Sequence, residues 1–214
     1  MTVVTVSRQR GSGGAEIARQ VATSLGYDYA DKNTIERVFR QYGMTKFDDL
    51  YSSTPGIRDV LSYDNLLTIS MFNEMLEAIA QRGRVVIVGR GGFAVLGGYA
   101  DVLDVRIEAP VSARLQRIMA EENLTSIDEA TARVTEDDNM RRKFVKMFYN
   151  KAWDDRANFD LVLDTGDLSY DAAATQIIDA INALEQNKAA EDAVTTTTIE
   201  VDPVLADAIA KVMA

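Results

Sequence analysis

The stretch from Thr2 to Ile17 constrains the fold of this chain more than any other; it reads Thr-Val-Val-Thr-Val-Ser-Arg-Gln-Arg-Gly-Ser-Gly-Gly-Ala-Glu-Ile. Val3, Val4 and Val6 make a short β-branched strand. Gly11, Gly13 and Gly14 follow as a glycine-rich loop, and Ile17, Val21 and Leu25 then fall on one face of a helix. Strand, glycine loop and helix in that order turn backbone N–H groups and a helix N-terminus onto an anion, most often phosphate. Against the pattern G-x-x-x-x-G-K-[ST], Gly13 takes the second glycine, Arg8 the first, Gly14 the lysine and Ala15 the hydroxyl. The backbone cradle survives while two side-chain functions are lost. Arg8 or Arg10 could supply the missing charge, with Arg8 nearer the strand end, and Ser12 could supply a hydroxyl for a metal ion. A dinucleotide reading pairs Gly11 and Gly13 with Asp31 as ribose ligand, but Glu16 would then push a carboxylate at a pyrophosphate. The plainest alternative is a tight strand-to-helix turn with no ligand.

The rest of the chain narrows the chemistry. Its 214 residues suit one domain with a small appendage. It has no cysteine and no histidine, which excludes thiol chemistry, a Ser-His-Asp triad and a His/Cys zinc site. The net charge of −10 argues against a nucleic-acid partner. No apolar run reaches membrane-spanning length and the start has no leader pattern, so a cytoplasmic location is expected. Sixteen of the 23 cations are arginine and seven are lysine, a bias that suits phosphate recognition or simply reflects composition.

Periodicity predicts strands over 3–6, 27–30, 84–88, 102–107 and 159–163. It predicts helices over 16–25, 33–41 (with Asn33 and Glu36 at capping-box spacing), 65–81, 111–122, 126–153 and 170–185. Residues 44–62 read as loop with short helical turns. Alternation of this kind gives an α/β domain with a parallel sheet covered on both faces, and ligands sit at the carboxyl ends of such strands. Three polar clusters fall there: Arg8–Gly14, Gly89–Gly92, and Ala109 running into the helix that carries Arg114 and Arg117. Residues 188–192 read as a linker, 195–201 as strand-prone, and Asp202-Pro203 as the start of a last helix. This extension is expected to be a partner-exchanging or lid-covering arm, with homodimerisation through it, or else a passive end.

Ser7-Arg8-Gln9-Arg10-Gly11-Ser12-Gly13-Gly14 with Tyr27–Asp31, the strand and Gly-Arg element Val85–Gly92, the arginine-rich run Arg133 to Arg142, and Asp160–Asp164 together resemble the cytidylate-kinase-like proteins. These are relatives of bacterial CMP kinase among the P-loop nucleoside monophosphate kinases. The resemblance spans about residues 2–186. It implies a P-loop kinase-like sheet of about five strands in domain 1–187, an acceptor segment at about 31–82, a lid at about 123–157, and an extension over 188–214. It also implies that Gly11–Gly14 cradle donor phosphates, with Arg10, Arg114 and Arg117 on the donor side. Asp31 and Arg37 would stand at the acceptor-site helix, and Arg90 would hold the acceptor phosphate. Arg8, Arg90, Arg141 and Arg142 would serve the transferring phosphoryl group.

Each position also has a plainer reading from the residues alone. Arg90 could make a structural ion pair, and Arg133, Asp137 and Arg141, spaced i, i+4, i+8, could form a solvated ladder. Arg114 and Arg117 could lie on the surface, and Asp31 could cap the next helix. Phe148 and Trp153 read as core. The expected activity is transfer of a phosphoryl group from ATP, with Mg²⁺ held mainly by the nucleotide, to a CMP- or dCMP-like monophosphate or a related small phosphate acceptor. A catalytically inactive nucleotide-binding or regulatory module, a kinase of a different small metabolite, and a scaffold are the alternatives.

Overall fold

β1 (Val3–Arg8) is the central strand because its apolar side chains are covered from both sides: Val3 and Val4 are fully buried and Val6 nearly so. The computed structural model describes residues 1–42, 63–187 and 193–213. The glycine loop leads into α1 (Gly14–Leu25), which Gly26 ends in a left-handed conformation. β2 (Asp28–Ala30), α2 (Lys32–Gln41) and α3 (Tyr63–Gln81) follow, then β3 (Val85–Val88) and the short α4 (Gly92–Leu96). β4 (Val102–Glu108), α5 (Val111–Glu122), α6 (Ile127–Tyr149), β5 (Leu161–Asp164) and α7 (Tyr170–Gln186) complete the main body.

The five strands are parallel in the order β2-β3-β1-β4-β5. Chain direction across the sheet reverses around β1, so the crevice beyond its carboxyl end is the switch point where such sheets bind ligands. One face, carrying Val4, Val6, Val86, Val105 and Ile107, packs on α1 and α7 through Ile17, Val21, Ile177 and Ile181. The other, carrying Val3, Val85 and Ile87, packs on α2, α3 and α6 through Ile35, Phe72, Leu76 and Phe144. Thr5, Ser7, Asp104 and Arg106 interrupt this second face with buried polar groups.

Several boundaries differ from the sequence expectations. The Asn33 capping box does not form; Asp31 caps α2, as its plainer reading expected, its Oδ1 accepting from the N–H groups of Asn33 (2.9 Å) and Thr34 (3.2 Å). The helix reaching toward Trp153 stops at Tyr149, because Asn150 turns left-handed. The strand-prone segment of the extension is a 3-10 turn, Thr196–Thr198, tied down by Thr196 donating to both Asp101 oxygens (2.8 and 2.6 Å). Ser126 caps α6 by accepting from the Glu129 N–H, and α8 (Pro203–Val212) forms as expected behind its cap Asp202. Leu205, Ala208 and Ile209 of α8 bury against α2 and α3 of the same chain. The expectations for 44–62 and for the linker at 188–192 lie outside the described residues.

Candidate active site

Two left-handed glycines shape the turn from β1 into α1, Gly11 at φ 79° and Gly13 at φ 75°. Gly13 is the N-cap and makes no side-chain cap bond, so the first N–H groups of α1 face the crevice. In front of them lies a cleft of about 260 Å³ lined by Arg8, Arg10, Gly11, Gly13, Gly14, Glu16, Arg19 and Arg141, among others. Orphan N–H groups, a helix N-terminus and converging guanidiniums are donors suited to polyphosphate. The residues therefore fit the phosphates of a nucleotide even without a loop lysine.

The loop is gripped from behind. Ser12 is fully buried and donates its hydroxyl to the Gln9 carbonyl (2.9 Å), so it turns away from the cleft. Arg117 donates to the carbonyls of Gly11 (3.2 Å) and Thr165 (2.7 Å) and to the Thr165 hydroxyl (2.9 Å). Thr165 in turn donates to the Ser12 carbonyl (2.8 Å). Arg114 donates to the Arg10 carbonyl (3.3 Å), and Gly11 packs so closely on α5 that a Cβ there would lie 2.7 Å from the Arg114 carbonyl oxygen. Arg114 and Arg117 thus brace the loop and do not line the cleft.

The remaining cations divide sharply. Arg8 lines the cleft and also the narrow cavity beside it, between the glycine loop and the end of β3. Arg141 lines both as well. Arg10 lines the cleft, but three carboxylates hold its guanidinium: Glu122 (2.7 Å), Glu121 (3.3 Å) and Asp137 (3.5 Å). Burial alone would lower its pKa; the hydrogen bond with Glu122 and the neighbouring acids more than offset that, and the pKa is raised. Arg142 lies on the outer side of α6, donating to Asp154 (3.0 Å) and Asn139 (2.6 Å).

The acceptor side is built on the loop after β3. Gly89 and Gly91 have φ 74° and 72°, and Arg90 between them is left-handed at φ 55°, a conformation that costs energy for a side-chain residue. Arg90 is 3% exposed, and its Nη2 faces Glu36 Oε1 of α2 at 3.4 Å. A narrow cavity there is walled by Thr5, Ser7, Arg8, Arg90, Arg141 and Trp153, among others. Asp31 caps α2, and its second oxygen faces Arg19 at 3.8 Å. Arg37 is exposed and donates to the Val212 carbonyl of the extension (3.2 Å). Neither reaches this cavity.

Four residues escaped the sequence reading. Asp138, 7% exposed in the middle of α6, accepts from the Arg10 N–H (2.9 Å), Arg114 (2.6 Å) and Arg141 (2.9 Å). Its signal was hidden in an ordinary-looking Glu-Asp-Asp run. Glu36 shows in the sequence only as the capping-box partner of Asn33. Thr165 carries no pattern. Arg106 did leave a signal, a cation inside an apolar strand; it is fully buried, donates to the Trp153 carbonyl (2.7 Å) and lies over the Trp153 ring at 4.6 Å. Burial would raise the pKa of its partner Glu108, but hydrogen bonds from Arg106 and Arg156 hold it below the usual carboxylate range.

A sequence model described as the cytidylate kinase-like family matches residues 3–167. The cytidylate kinase of Pyrobaculum neutrophilum is 31% identical over 184 residues, covering 85% of this chain and 93% of that protein. The cytidylate kinase of Natronomonas pharaonis is 26% identical over 181 residues, covering 85% and 90%. Among solved structures, an uncharacterized protein from Eubacterium ventriosum superposes with TM-score 0.68 at 20% identity, covering 86% of this chain and 99% of that one. Shikimate kinase from Bacteroides thetaiotaomicron superposes at 0.53 and 12% identity, covering 85% and 98%. These likenesses show the P-loop kinase fold.

Proposed function

This chain belongs to the cytidylate kinase-like family and is a nucleotide or small-molecule kinase, and from that premise we propose that it transfers a phosphoryl group from ATP to a nucleoside monophosphate such as CMP or dCMP. The observation that carries the reading is the sharing of Arg8 and Arg141 by the glycine-loop cleft and the Arg90 cavity. A donor phosphate in the first and an acceptor phosphate reaching one oxygen into the second would then face each other across two guanidiniums. Little covalent help is needed for this reaction, only in-line placement and neutralisation of charge. The bond that forms joins an acceptor phosphate oxygen to the γ-phosphorus; the bond that breaks leaves its electrons on the β–γ bridging oxygen of ADP.

In this reading the glycine loop and the start of α1 bind the donor phosphates, and Arg90 holds the acceptor phosphate. Arg8 stands where the loop lysine would otherwise act, and Arg141 closes over the transferring group. The buried aromatic wall of Phe144 and Trp153 helps keep water from the acceptor side. Mg²⁺, when bound with ATP, supplies further neutralisation. No group of three or more metal-ligating side chains stands among the described residues, so its ligands would come mainly from the phosphates.

Acceptor-dependent ADP release with ATP and Mg²⁺ across CMP, dCMP, UMP and AMP tests this reading. Turnover with a cytidine monophosphate supports it; turnover with none of them, at ATP concentrations that stabilise the fold, returns the chain to a nucleotide-binding module.

A further inference from the structure

The polar column on the second sheet face is satisfied at every rung but one. Thr5 donates its hydroxyl to Asp104, and Arg106 is held by Glu108 and the Trp153 carbonyl. Ser7, opposite Arg106 at the carboxyl end of β1, is 4% exposed, and its hydroxyl has no hydrogen-bond partner among the described residues. Burying a hydroxyl unpaired costs stability, and native folds seldom carry one without a use. Alanine would fit the same strand position without that cost.

The place where this hydroxyl stands says what it is for. Ser7 lines the narrow cavity together with the guanidinium-bearing residues Arg8, Arg90 and Arg141. The cavity is about 10 Å³, room for roughly one oxygen-sized group. One hydroxyl and three arginines around such a space suit a single oxygen of a phosphate dianion. We propose that the Ser7 hydroxyl is a ligand for an acceptor-phosphate oxygen, donating to it beside Arg90 and Arg141. This deepens the acceptor side of the kinase reading and rests on it for the identity of the ligand, but an anion test reaches it without turnover.

Ser7→Ala separates ligand from packing, because the two roles predict opposite signs. The proposal expects the variant to melt at or above the wild-type temperature without ligand, since it loses an unpaired buried hydroxyl. It also expects the dissociation constants of CMP and of inorganic phosphate, read by thermal shift or calorimetry, to rise about tenfold or more, the scale of a hydrogen bond to a charged group. ATP binding should stay within about twofold, which the energetics of one distant neutral contact allow. A variant that melts lower, with unchanged CMP and phosphate binding, would mean that the hydroxyl serves the fold through a resident water, and would overturn the proposal. So would a wild-type protein that neither CMP nor phosphate stabilises. If both anions bind and Ser7→Ala weakens them, yet no monophosphate is phosphorylated, the site stands and the kinase reading alone fails.

Discussion

The carboxylate of Asp138 and the backbone N–H of Arg10 meet at 2.9 Å, joining the middle of α6 to the glycine loop. The same carboxylate takes Arg114 from α5 and Arg141 from its own helix, so loop, brace and cleft arginine share one buried charge. A group so placed sets where Arg141 points and how the loop lies, yet it lines neither the cleft nor the cavity.

Asp138→Asn tests that coupling. The amide keeps one acceptor oxygen but removes the charge facing Arg114 and Arg141. Leaving a buried cation uncompensated costs about 3 kcal/mol, which urea unfolding should show. Arg141 loses one of its two anchors, the other being Asp137 at 3.6 Å. Turnover should fall about 10- to 100-fold through misplacement near the reacting groups. The informative comparison is with the double variant that also carries Arg141→Ala. If Asp138 acts through Arg141, the double variant turns over no more slowly than Arg141→Ala alone; multiplied losses would refute the coupling.

Gly89→Ala probes the other end of the cleft. A Cβ at Gly89 would run into the Arg8 guanidinium, and its φ of 74° disfavours any side chain. The backbone cost is about 1–2 kcal/mol. The flexible tip of Arg8 can give way, so the fold should survive while Arg8 leaves its place between the two loops. Loss of phosphoryl transfer with a melting temperature only slightly lowered is the expected result. Full activity would remove Arg8 from the reaction.

The fold was legible because its signals are local. Five buried strands alternating with capped, amphipathic helices specify a parallel α/β sheet, and the glycines at 11, 13, 89 and 91 mark the turns that such a sheet places at one edge. The site was legible only as far as the arginines at strand ends. Whether an arginine faces ligand or protein depends on partners distant in sequence: Arg117 finds Thr165, Arg37 finds Val212, and Arg142 finds Asp154. These three arginines and Arg114, all assigned to ligand by the resemblance, are therefore held by protein groups away from the cleft, while Asp138, inside a run of acids, proved to be the hub. No spacing rule reports a contact between residues 10 and 138.

The extension beyond residue 192 braces α2 and α3 of its own chain. Leu205 is 6% exposed and adjoins Val38, Phe39, Tyr42, Met71 and Met75. Leu205→Ala should cost about 2–4 kcal/mol by cavity formation, measured by urea unfolding. Because α2 carries Glu36, which faces Arg90, a loosened brace should also weaken CMP binding more than ATP binding. An unchanged stability would show that α8 is a passive passenger.

Asp104 gives the chain a pH-dependent stability that can be read directly. It lies 6% exposed beneath α4, accepting from Thr5. Burial pushes its pKa up from 3.8 to about 6; the Thr5 hydrogen bond opposes this, and the nearby charge of Asp160 adds to it. The folded state therefore keeps a proton that the unfolded chain has already released between about pH 4 and 6. The unfolded state binds fewer protons across that window, so this group's contribution makes stability fall as pH rises through it. The full loss is at most about 3 kcal/mol, at 1.36 kcal/mol for each unit of pKa. Asp104→Asn keeps an acceptor oxygen for Thr5 and carries no charge to desolvate. Urea unfolding of both proteins at pH 4, 5, 6 and 7 should give curves that diverge with rising pH, the variant being the more stable at pH 7. Parallel curves would mean that Asp104 ionises as freely in the folded chain as in the unfolded one.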